Sequence, residues 1–169
     1  MSESLKVTVS APISWRLACG ALSGLVATAP MTAAMRRFHQ RLDRKDRYPL
    51  PPREIVTSAI PAMSENAARE TSIVAHFAYG ALSGAALAAL TRKPTLGFGI
   101  AGGVGIWLAS YFGWIPAFGI LKPADEHPAA RNAGMIASHL IWGAAFSLAQ
   151  NELLKTTPIF QGGPMKDRG

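Results

Sequence analysis

The sequence predicts an all-α integral membrane protein, a four-helix bundle with a short interfacial amphipathic helix in its first loop. Three observations carry that expectation. Charge is missing from four blocks: 19 residues over 17–35, 21 over 71–91, 28 over 94–121 and 20 over 132–151 contain no Asp, Glu, Lys or Arg. A bilayer core about 30 Å thick takes roughly 20 apolar helical residues to cross, and a soluble helix of that length would carry charge on its outer face. Glycines also recur one helical turn apart inside the blocks, as Gly20/Gly24, Gly80/Gly84 and Gly99/Gly103. Small residues so spaced let helices approach closely in lipid. Finally, six of the 17 basic residues, Arg36, Arg37, Arg41, Arg44, Lys45 and Arg47, directly follow the first block. Basic clusters beside a span mark its cytoplasmic end.

At 169 residues the chain suits one domain, and 49% hydrophobic content with 16% charge excludes a disordered chain. The mean hydropathy of only +0.18 reflects spans rich in Ala and Gly and basic connections. Cys19 is the only cysteine, which excludes a disulfide scaffold and a cysteine metal cluster. The net charge of +7 sits largely in the 36–47 cluster, so it reads as contact with anionic lipid headgroups rather than with nucleic acid.

In chain order, a tail over 1–14 leads to span one at about 15–35, with Trp15 at its interface. Ala27-Thr28-Ala29 has the form of a signal cleavage site, but the apolar run continues to Met35, so the span is read as uncleaved. In the 36–70 connection, 36–47 is a solvated basic stretch and Tyr48-Pro-Leu-Pro-Pro52 an extended turn. Ile55, Val56, Ala59, Ile60 and Met63 then recur at helical spacing, giving the interfacial helix, bent at Pro61. Span two covers about 71–91. Span three, about 95–121, is long and contains Pro116. The loop 122–131 precedes span four at about 132–151, and the tail 152–169 is expected to be mobile. With four crossings, 36–70 and 122–131 share the cytoplasmic side and both termini face the periplasm.

His76-Phe-Ala-Tyr-Gly80 and His139-Leu-Ile-Trp-Gly143 lie at comparable depths in spans two and four. An imidazole there must face the bundle or water. The two histidines are the candidates for a cofactor, and with Glu126 and His127 they form a candidate metal set, since His and Glu suit a divalent metal. The ordinary alternative is a histidine bonded to a backbone carbonyl. Tyr111, Trp114, Pro116 and Phe118 read as an aromatic patch for anchoring or packing. Gly20, Gly24, Gly80, Gly84, Gly99, Gly103 and Gly143 are expected at helix contacts. Ser23, Ser83 and Ser138 have no plausible triad around them, and no catalytic residue is assigned. The expected role is a non-enzymatic membrane component or partner subunit, bound to lipid and to a membrane protein or a second copy. The alternatives are a small transporter or proton-linked protein, or a haem- or metal-binding protein, using His76 and His139.

Pro49-Leu-Pro-Pro-Arg53, His76-xx-Tyr-Gly, Tyr-Phe-Gly-Trp-Ile-Pro-Ala-Phe-Gly (111–119), Glu-His-Pro-x-x-Arg-Asn (126–132) and His139-xx-Trp-Gly together resemble the YagU-like family. The similarity covers about residues 20–150. It implies a small bacterial inner-membrane protein without an established activity or cofactor, and it supplies no catalytic residues.

Overall fold

The computed structural model describes residues 11–156, and among these every regular element is helical. Helix α1 runs Ile13–Arg41, so Arg36, Arg37 and Arg41 stand on its last turns rather than in a loop. The helix outlasts its charge-free block because arginine is a good helix former. The Arg47 guanidinium closes it by donating to the carbonyls of Leu42 and Gln40 (2.7 and 2.6 Å), while Arg44 and Lys45 lie in a 3₁₀ turn, Arg44–Asp46.

Helix α2, Pro51–Ala59, corrects two expectations. Pro51 and Pro52 open the helix instead of holding an extended turn, because the first helical turn needs no N–H and suits the fixed φ of proline. The helix also stops before Pro61, which lies in the following turn and bends nothing.

Helix α3, Glu65–Leu90, is capped by Ser64, whose hydroxyl accepts from the Ala67 N–H. Its far end is held by the buried Arg16 of α1, which donates to the carbonyls of Ala88 (2.6 Å), Ala89 (3.3 Å) and Thr91 (3.0 Å). A cation suits a helix C-terminus, where carbonyls lack partners. Helix α4, Leu96–Ala109, passes through a π-helical turn, Ser110–Trp114, into the short α5, Ile115–Ala117. Gly113, with φ −111° and ψ −111°, departs from helical geometry. Phe118–Leu121 leave the helix, and Gly119 takes φ +65°, so the stretch ends short of 121. Helix α6, Ala129–Lys155, exceeds the expected 132–151 at both ends, so residues 152–155 of the expected tail are helical. The rest of that tail beyond 156, and the first ten residues of the N-terminal tail, lie outside the described residues.

Three helical stretches are long and apolar enough to cross a membrane: Ile13–Arg41, Glu65–Leu90 and Leu96–Ala117. The fourth expected span, α6, is not among them. It matches them in length, but Ser138, Ser147 and Gln150 punctuate it, all at most 1% exposed.

Glycines set the packing. The two Gly-Ala-Leu-Ser-Gly copies meet each other, antiparallel, across α1 and α3: a Cβ on Gly24 would strike the Gly80 carbonyl oxygen, and one on Gly84 the Gly20 carbonyl oxygen. On the other side, a Cβ on Gly99 would strike the Gly143 carbonyl oxygen and one on Gly103 that of His139, joining α4 to α6. Helix α6 also packs along α1, whereas α3 and α4 scarcely touch. Polar side chains tie these contacts: Ser23 donates to Gln150 Oε1 (3.0 Å), Gln150 to the Arg16 carbonyl (3.3 Å) and Ser147 to the Thr95 carbonyl (2.9 Å).

Candidate functional site

Where α3 and α4 diverge, a cavity of about 250 Å³ remains, walled also by α1, α2 and α6. His76 and His139 both line it. Each is placed by a glycine one turn further along its helix. Gly80 locks α3 against Gly24 and Thr28, and Gly143 locks α6 against Gly99. A residue four positions away shares the helix face, so close approach of the backbones turns each imidazole inward.

His139 is buried, and its Nδ1 donates to the Met135 carbonyl (2.8 Å). A carbonyl only accepts, so Nδ1 carries the proton and Nε2 keeps a lone pair. Trp142, a turn away, donates from Nε1 to the Gly24 carbonyl (3.1 Å) and Thr28 Oγ1 (3.2 Å). Between α3 and α4 the wall consists of side chains. Ser110 donates to the Ile106 carbonyl (2.7 Å), so the Tyr79 hydroxyl 2.8 Å away donates to Ser110 Oγ, and Trp114 Nε1 donates to Tyr79 (3.4 Å). Two buried polar atoms on lining residues, His76 Nε2 and the Tyr111 hydroxyl, have no hydrogen-bond partner among the described residues.

Helix α2 closes one end of the cavity with Pro51, Pro52, Ile55 and Val56, and Arg131 holds that segment in place. Only 3% exposed, Arg131 donates to the carbonyls of Tyr48 (3.1 Å) and Pro49 (2.8 Å), pairs with the Glu54 carboxylate and lies 3.6 Å over the Tyr48 ring. Burial raises the Glu54 pKa above the ordinary carboxylate value, against the opposing pull of Arg131. Two of the sequence motifs, 49–53 and 126–132, thus meet as one clamp.

The four residues of the expected metal set stand in two places. Glu126 pairs with Lys122 at the surface (2.9 Å). His127 donates from Nε2 to the Lys122 carbonyl (3.1 Å), which leaves Nδ1 to accept from the Tyr48 hydroxyl (2.6 Å). Among the described residues no three His, Cys, Asp or Glu side chains stand close enough to share a metal ion. His76 and His139 are together, Glu126 and His127 elsewhere. The basic side chains Arg36, Arg37, Arg41, Arg44, Lys45 and Arg47 are all exposed.

Sequence reasoning missed Ser110, Tyr111 and Trp114 as cavity residues, having read the aromatics as anchoring or packing residues. The available signal was Gly113-Trp-Ile-Pro116, a helix disruption inside an otherwise continuous apolar block. Compared with family models, with curated proteins and with solved structures, the chain gives no match in any of the three.

Proposed function

We propose that this chain is a multi-pass protein of the bacterial inner membrane that crosses the bilayer four times and acts as a non-enzymatic component, binding a small ligand between its helices. The cavity shared by His76 and His139 is the observation that carries the reading. Membrane location is supported by the three apolar helical stretches. A crossing by α6 is supported by its 27 residues, about 40 Å of helix, and by the burial of its polar groups. Ser138, Ser147 and Gln150 bond to protein, which is what hydrocarbon demands of polar side chains. Average hydropathy counts these residues against α6 although none faces outward. The exposed cations from Arg36 to Arg47 favour a cytoplasmic end for α1. The motif likeness to YagU-like proteins agrees with this location.

Purification in mild detergent, with mass analysis of lipids, metals, pigments and proteins retained, tests the proposal. A small organic molecule in near-equal amount, lost from a His76→Phe/His139→Phe variant, is the expected result. A visible haem band or a bound metal in equal amount contradicts it in favour of a metalloprotein. A tightly held protein with an empty cavity contradicts it in favour of a partner subunit.

A further inference from the structure

We propose that the cavity takes a neutral amphiphile, its hydroxyl- or carbonyl-bearing head seated among Tyr111, His76 and His139 and its hydrocarbon tail leaving between α3 and α4. This rests on the ligand-binding reading above and names the ligand's chemistry. Charge is decided by the lining: among the described residues that wall the cavity there is no Asp, Glu, Lys or Arg. Glu54 of α2 and Arg131 pair with each other, and neither lines the cavity. An ionised head would therefore sit unpaired in an apolar site, which is costly.

The head group is decided by the polar atoms. The Tyr111 hydroxyl and His76 Nε2 are buried with no hydrogen-bond partner among the described residues, and such groups in native proteins ordinarily have one. His139 Nε2 only accepts, because its other nitrogen already donates to Met135. With the His76 proton on Nε2, a carbonyl accepts from the first two, and a hydroxyl accepts from both and donates to His139 Nε2.

Size and shape decide the tail. About 250 Å³ lies below the roughly 300–1,000 Å³ of pockets that enclose a drug-sized molecule, so the cavity holds a head and only the start of a chain. The weakest wall is the α3–α4 gap, bridged by Tyr79, Ser110 and Trp114 rather than by helix contact. The π turn that supplies Ser110, Tyr111 and Trp114 is an irregularity common at functional sites.

Trp114 and Trp142 line the cavity, so tryptophan fluorescence of the full chain in lipid nanodiscs reads occupancy. Four probes are titrated: decyl-benzoquinol, dioctanoylglycerol, decanoate at about pH 8 where it is ionised, and zinc ion. Saturable binding of a neutral probe is expected, and which one binds separates a quinol from an acylglycerol source. Tyr111→Phe should weaken it about tenfold, the effect of one hydrogen bond, without lowering the thermal midpoint, since the hydroxyl it removes has no partner among the described residues. His76→Phe is the second variant, expected to weaken binding likewise. Wild-type affinity in both variants overturns the proposed seat. Decanoate binding through His76 or Tyr111, with neutral probes silent, overturns the ligand class but leaves the cavity reading standing, whereas zinc binding there overturns both. Silence from all four overturns both.

Discussion

Arg131 enters the chain inside the first turns of α6 and fastens Tyr48, Pro49 and Glu54 of the first connection. Removing one partner of a buried ion pair leaves the other charge stranded, at a cost of about 3 kcal/mol or more. Arg131→Ala should therefore lower stability by that amount in thermal unfolding in detergent, and Arg131→Met with Glu54→Met should recover much of it. His127 offers a pH test in the same cluster. Burial lowers its pKa below the ordinary value, with the Lys122 carbonyl opposing and Arg131 adding to the shift. The folded chain then binds fewer protons there than the unfolded chain, so stability falls as pH drops through about 6.5. The thermal midpoint should decline between neutral and mildly acid pH, and the part due to this site should vanish in His127→Gln. An identical decline in the variant would remove His127 from the account.

Among the helices, glycines of identical chemistry differ sharply in surroundings. A Cβ at Gly24 would meet the backbone of α3, whereas a Cβ at Gly105 would meet nothing within 4 Å. Gly24→Ala should cost more than about 1 kcal/mol, the scale of overpacking. Gly105→Ala should be neutral or stabilising by up to about 1 kcal/mol, from helix propensity alone. Thermal midpoints of the two variants check this directly. The packing glycines, the apolar helices and the inward histidines were legible in the sequence because each follows from spacing or from missing charge. Helix ends were not, since Arg36 and Arg41 on α1, and Glu65 and Glu70 on α3, extend helices past the charge-free blocks. The start of α2 was misread because proline breaks a helix in its interior and favours it at its first residue. Tyr111 was missed because an aromatic beside a disrupted helix end has one sequence appearance whether it anchors or lines a cavity.

At the scale of the whole molecule, α6 carries the proposal, because it packs against both α1 and α4 and brings His139 to the cavity. If it crosses the bilayer, the ends of α1 and α3 and the whole of α4–α6 fall into register, with Arg47 and Arg131 on one side and Lys93 and Lys155 on the other. The exposed apolar residues Leu22, Val26, Val74, Leu82 and Leu148, from 49% to 70% exposed, then face lipid rather than water. Paired reporter fusions, each active on only one side of the membrane, placed after Arg47, Lys93, Arg131 and Lys155, measure this arrangement. The account predicts cytoplasm after Arg47 and Arg131, and periplasm after Lys93 and Lys155. A cytoplasmic signal after Lys155 would contradict it, leaving α6 on the membrane's cytoplasmic side and the chain with three crossings.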